Sequence, residues 1–132
     1  MIVIDTSALF AIAAVEEERD QFVEILDETD GTFCSAATYV EIVMALTGRS
    51  RTTATEKVRA LIQAFRIDIV AIDADLAEAA VSAFDLYGKG RHRAHLNFGD
   101  CFAYALAKSR NLPLLFKGND FVHTDIVPAW RP

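Results

Sequence analysis

Soft metal ligands are scarce in this sequence, which has two cysteines, Cys34 and Cys101, and three histidines. The cysteines stand inside apolar stretches without ligand spacing, and the histidines form no zinc pattern, so a structural zinc site is excluded. Thiols in such surroundings read as reduced and buried. Long apolar runs are missing too. Each is broken by charge before it reaches bilayer-spanning length, so no membrane segment is expected. The opening MIVIDTSALF has no basic residues ahead of its apolar ones. It does not read as a secretory leader, and a cytoplasmic protein is expected. No Ser/Pro/Gly-rich linker or repeat divides the 132 residues, so a single domain over 1–132 is expected. Basic charge is also short: 13 Lys and Arg face 19 Asp and Glu, for a net charge of −6. Proteins that grip long nucleic acids through phosphates are usually basic, so any such contact here must be local. An acidic surface also suits a basic protein partner.

What the chain does have is apolar residues, 52% of the total, in alternating strand and helix patterns. Ile2-Val3-Ile4 reads as a buried strand ending at Asp5. Thr6-Ser7 offers an N-cap for an apolar helix over 8–15, and a helical pattern continues over 16–27 with Phe22, Val23, Ile25 and Leu26 on one side. Gly31 breaks it, and residues 32–35 form a strand. Ser35 or Ala36 opens a helix that reaches Leu46 and ends at Thr47-Gly48. Residues 53–65 show Val58, Leu61, Ile62 and Phe65 at helical spacing, and 67–72 alternate as a strand. Asp73 caps a helix expected to bury Leu76, Ala80, Val81 and Phe84. The basic, glycine-containing stretch 88–97 is a loop, and Asn97 caps a helix over 98–109. Residues 113–116 form a strand, with Ile126-Val127 a short final one. Such alternation predicts a three-layer α/β/α sandwich around a mostly parallel sheet. Ligands bind these folds beyond the carboxyl ends of the strands, where Asp5 and Asp120 fall.

Three acids stand alone in apolar surroundings. Asp5 is the only charge in the first fifteen residues, although a plain N-cap would also explain it. Glu41 is the only charge between Gly31 and Gly48, on a helix so apolar that burial is expected all round. A buried carboxylate is costly unless paired, protonated or bound to metal. Asp100 is the only charge between Arg93 and Lys108. It falls at the third helical position after Asn97, where an acid complements the helix dipole. Asp120 follows the 113–116 strand in Lys117-Gly118-Asn119-Asp120-Phe121, and Asp125 comes close behind it. Oxygen-only clusters suit Mg²⁺ or Mn²⁺, ions that activate water and offset charge at phosphorus during phosphodiester hydrolysis. Thr6 and Ser7 can hydrogen-bond to the Asp5 carboxylate or to a water beside it.

IVIDTSAL, the Tyr39-Val40-Glu41 helix start, and Leu96-Asn97-Phe98-Gly99-Asp100-Cys101 followed by LPLLFKGNDFVHTDI resemble the PIN-domain ribonucleases. Among these they resemble the VapC toxins of VapBC toxin–antitoxin systems, in order and spacing along essentially the whole chain. The resemblance implies an α/β/α sandwich, an acidic Mg²⁺ or Mn²⁺ site and endonucleolytic cleavage of RNA. It also implies a VapB-like antitoxin and a homodimer. By position, Asp5, Glu41 and Asp100 match the family's core acids. Relatives often carry two acids where this chain has Asn119 and Asp120, so the fourth ligand stays open among Asp120, Asn119 and Asp125. The loop cations Lys89, Arg91 and Arg93, with His92 and His95, could hold RNA phosphates together with Thr6 and Ser7. A merely solvated loop is the alternative. Leu9, Phe10, Phe22 and Leu26 are either a groove for an antitoxin helix or ordinary core. Family antitoxins also insert a basic residue near the acids.

Two other readings compete. A catalytically inactive PIN-like module would act through protein binding alone. A phosphoaspartate domain of the receiver type would use Asp5 and Lys117, yet it wants paired acids after its first strand and Asp5 stands alone.

Overall fold

The computed structural model describes residues 1–49 and 53–132. Strand β1 (Ile2–Ile4) is wholly buried and leads into α1 (Thr6–Ala13). After α2 (Arg19–Glu28) the chain forms β2 (Thr32–Ser35), α3 (Ala36–Thr47), α4 (Ala54–Ala64) and β3 (Ile67–Val70). Helices α5 (Ala74–Tyr87) and α6 (Phe98–Arg110) follow, then β4 (Leu114–Leu115) and a 3₁₀ turn, Phe121–His123. The sheet order is β3-β2-β1-β4 and every pairing is parallel. The expected sandwich is therefore present, with a sheet parallel throughout the described strands.

Strand alternation divides the core into two layers. Ile2, Ile4, Cys34 and Leu115 face α1 to α4, whereas Val3, Leu114 and Phe116 face α5 and α6. The first strand thus lies inside the sheet with apolar residues on both faces, which is why its run is continuous rather than alternating. The caps fall largely where the sequence puts them: Ser35 accepts from Thr38 N at 3.1 Å, Asp73 from Leu76 N at 2.8 Å. Among the described residues, no helix is long and apolar enough to cross a membrane.

Several expectations are corrected. Helix α1 is capped by Asp5, whose side chain accepts from Ser7 N, so Thr6 and Ser7 lie inside the first turn. The helix does not run on through 16–27. Val15 takes a left-handed φ of 56° and Glu16 N closes back on Ala11 O, ending the helix without a glycine to announce it. Ile126-Val127 forms no strand. Leu114 donates to Val127 O and accepts from Ala129 N around a single parallel bridge at Pro128, and no ladder extends from it. On α5, Ala83 is buried instead of Val81 and Phe84, which stand 54% and 39% exposed. Helix α3 is not buried all round either, because Val40 and Met44 are exposed on its outer side.

Candidate active site

Three segments meet beyond the carboxyl ends of the strands. The turn after β1 supplies Asp5, Thr6 and Ser7; the second turn of α3 supplies Glu41; the start of α6 supplies Asn97 and Asp100. All six line one open cleft of about 530 Å³, together with Phe10, Glu16, Ala45, Lys117 and Gly118. Asp5 is 4% exposed and Asp100 9%, while Glu41 is half-buried.

Each carboxylate is held by its own neighbours. Asp5 Oδ2 accepts from Ser7 N at 3.0 Å and Ser7 Oγ at 2.6 Å, and Oδ1 is buried with no partner. Ser7 Oγ in turn accepts from Lys117 N at 3.0 Å, joining the turn after β1 to the turn after β4. The Thr6 hydroxyl donates to Glu41 Oε1. Asn97 and Asp100 form a reciprocal capping box: Asp100 N donates to Asn97 Oδ1 at 2.9 Å and Asn97 N to Asp100 Oδ2 at 3.1 Å.

Burial and mutual repulsion dominate the electrostatics. Desolvation raises the Asp5 carboxyl above its ordinary range against the pull of Ser7, and the Glu41 charge adds to the rise. Desolvation, reinforced by the Asp5 charge, pushes Asp100 up to about 7, with Asp120 and Glu41 contributing further. Burial also lifts the Cys101 thiol, beside Asp100, to about 11 and Cys34 to about 12. Both are free, buried thiols that stay protonated at neutral pH.

The remaining sequence candidates are placed differently. Asp120 is exposed in the turn after β4, close enough for its charge to act on Asp100 but outside the cleft lining. Asp125 is committed elsewhere. It accepts from the Tyr104 hydroxyl and pairs with Lys108 at 3.0 Å, farther along α6. None of Lys89, Arg91 and Arg93 lines the cleft; Arg91 stacks over Phe84 and reaches Asp85 at 3.8 Å. The cation that does line it is Lys117, bound to Glu16 at 3.3 Å and Glu18 at 3.0 Å. Lys117, the lysine the receiver reading would use, is thus paired with Glu16 and Glu18, and no ion pair joins it to Asp5 among the described residues. Leu9, Phe22 and Leu26 are core, and of that group Phe10 alone reaches the cleft.

As the side chains stand, no three acids, cysteines or histidines among the described residues converge tightly enough to cage an ion. The donor set nonetheless fits a hard divalent cation that keeps several waters. It is all oxygen, one buried carboxylate oxygen has no partner, and burial raises the Asp5 and Asp100 carboxyls above their ordinary range with no cation beside them to offset it.

Several classes of protein place acids beyond the strand ends of a parallel α/β/α sandwich, and comparison with known proteins makes the class specific. The profile of the PIN domain matches residues 2–127. Ribonuclease VapC30 of Mycobacterium tuberculosis is 42% identical over 131 residues, covering 99% of this chain and 100% of its own. Ribonuclease VapC of Mycolicibacterium smegmatis is 42% identical over 125 residues, 95% of this chain and 97% of its own. In fold, the chain is similar to M. tuberculosis VapC20, a sarcin-ricin loop cleaving toxin, with a TM-score of 0.80 at 19% identity and full coverage of both. The chain belongs to the PIN-domain family, among the VapC ribonucleases.

From sequence, Lys117 enters only through the receiver reading, and Gly99, which packs against Glu41, is not singled out. Gly99 left a signal, because glycine in the first turn of an otherwise well-formed helix needs a reason.

Proposed function

We propose that the protein is a Mg²⁺- or Mn²⁺-dependent endoribonuclease, the cytoplasmic toxin of a toxin–antitoxin pair, cleaving RNA phosphodiester bonds at the Asp5–Glu41–Asp100 cleft. The observation that carries this reading is the pair of buried, mutually repelling carboxylates Asp5 and Asp100, with Asp5 Oδ1 unpartnered. Buried acids so arranged await a cation. Asp5, Asp100 and Glu41 would hold the ion, with Asp120 reaching it from the rim. Bound there, it would make a water nucleophilic at neutral pH and offset charge on the phosphate. The chain's own residues supply the orientation. Ser7 takes one oxygen of Asp5, Asn97 takes one of Asp100, and each leaves the other oxygen for the cleft. Thr6 steadies Glu41. The N-terminus of α6 adds partial positive charge where a phosphate would approach.

The loop cations Lys89, Arg91 and Arg93 would guide the flanking RNA, giving an acidic protein a local basic contact. A structure similar in fold is a toxin–antitoxin complex from Klebsiella pneumoniae, with a TM-score of 0.75 at 19% identity. A VapB-like antitoxin is accordingly the proposed partner here, and Val40 and Met44, exposed beside Glu41 on α3, offer it apolar contact. A second copy would use Val81, Phe84 and Phe98. The test is cleavage of structured RNA by purified protein with Mn²⁺, with EDTA, and with Asp5→Asn. Cutting that needs both the ion and Asp5 is expected; cutting that persists in EDTA, or none under any condition, defeats the proposal.

A further inference from the structure

Glycine weakens a helix, yet α6 carries Gly99 in its first turn, at a buried position one residue before Asp100. Ordinary explanations do not apply. Its φ is not left-handed, since the positive-φ glycines are Gly90 and Gly118. A Cβ placed there would lie 2.3 Å from Glu41 Oε2, 2.5 Å from Oε1 and 2.6 Å from Cδ, and these are its three nearest atoms. The nearest obstacles to a side chain at residue 99, outside its own helix, all belong to one carboxylate.

We infer that Gly99 is a positioning residue whose missing side chain is the seat of the Glu41 carboxylate, holding it beside Asp5 and Asp100. The reading rests on the cleft being the active site. Thr6 pins Oε1 from the α1 side, and the bare face of α6 receives the carboxylate from the other. Glu41 reaches the cleft from a half-exposed helix, and its side chain has several rotatable bonds. Without the seat that side chain would be free to swing to solvent. Asp5 and Asp100 need no such device, being fixed by Ser7 and Asn97.

The collision partner is the end of a flexible side chain, so a methyl group at residue 99 displaces Glu41 rather than unfolding α6. Stability and site geometry therefore separate. Gly99→Ala should melt no lower than the parent in EDTA, because alanine favours the helix. It should nevertheless bind Mn²⁺ at least tenfold more weakly and cleave RNA at least tenfold more slowly. A metal-free cycle reads the seat directly. Gly99→Ala should raise Tm more in a Glu41→Ala background, where the collision is gone, than in the parent. Additive Tm changes overturn the inference, as does a Gly99→Ala protein that keeps parental Mn²⁺ affinity. A several-degree fall in Tm in both backgrounds also overturns it, assigning Gly99 to packing alone. If the cycle shows coupling but the parent neither binds Mn²⁺ nor cuts RNA, the seat stands and the nuclease reading falls.

Discussion

Asp100→Asn should stabilise the metal-free protein while abolishing its proposed activity. The Asp100 carboxyl rises from the ordinary 3.8 to about 7 because it is buried beside Asp5. At about 1.4 kcal/mol per tenfold change, that rise corresponds to about 4 kcal/mol of disfavoured ionisation. Between these two values the native protein keeps a proton that the unfolded chain has released. The native state binds more protons, so stability falls as pH climbs from about 4 through about 7. Asparagine carries no such cost, and its side-chain oxygen can still accept from Asn97 N, preserving the capping box. At pH 8 and in EDTA the variant should therefore be more stable by about 2–4 kcal/mol, or roughly 5–15 °C in Tm for a chain of this size. Urea unfolding from pH 5 to 8 is the assay. The parent should lose stability across the range and the variant much less. Added Mn²⁺ should rescue the parent at pH 8 and do little for the variant. Parallel pH profiles, or a variant weaker at pH 8, would refute the reasoning.

Ser7→Ala removes the hydroxyl that joins Asp5 Oδ2 to Lys117 N. It should cost about 1–3 kcal/mol in urea unfolding, since Lys117 N and Asp5 Oδ2 each lose a partly buried hydrogen bond, Asp5 keeping only that from Ser7 N. Asp125→Asn should leave RNA cleavage within about twofold of the parent, because hydrogen bonds from Tyr104 and Lys108, not the cleft, occupy that carboxylate. A larger drop would return Asp125 to the site. Joint replacement of Lys89, Arg91 and Arg93 by alanine should raise KM for RNA with little change in kcat. It should also flatten the salt dependence of binding, by about one in the log–log slope for each phosphate no longer neutralised.

The layered fold was legible because strand and helix periodicities alternate cleanly and the caps at Ser35, Asp73 and Asn97 carry local chemistry. The break at Val15 was not, because a left-handed turn closed by a valine leaves no glycine in the sequence. Within the site, position after a strand pointed to Asp5, and the helix start pointed to Asp100. Glu41 stands out for an inexact reason: isolation in an apolar helix implies burial all round, whereas Val40 and Met44 turn outward. Apolar residues on an exposed face look like core from sequence alone. The same ambiguity placed Val81 and Phe84 inside and left Leu9, Phe22 and Leu26 open between groove and core, where they prove to be core. Lys117 figured only in the receiver reading, since its place in this cleft depends on β4 lying beside β1, a long-range pairing.

That pairing also sets the order in which the cleft can come into being. Asp5 is made before every other acid of the cleft, but the strand behind it is flanked by β2 on one side and by β4, made after them all, on the other. Until α6 and β4 have joined, Asp5 has no Asp100 beside it and Ser7 has no Lys117 amide to accept from. Non-local pairings of this kind form late and are slow. A growing chain therefore carries no assembled acidic cleft until both α6 and β4 have been made, and whatever chemistry the site performs begins only after that.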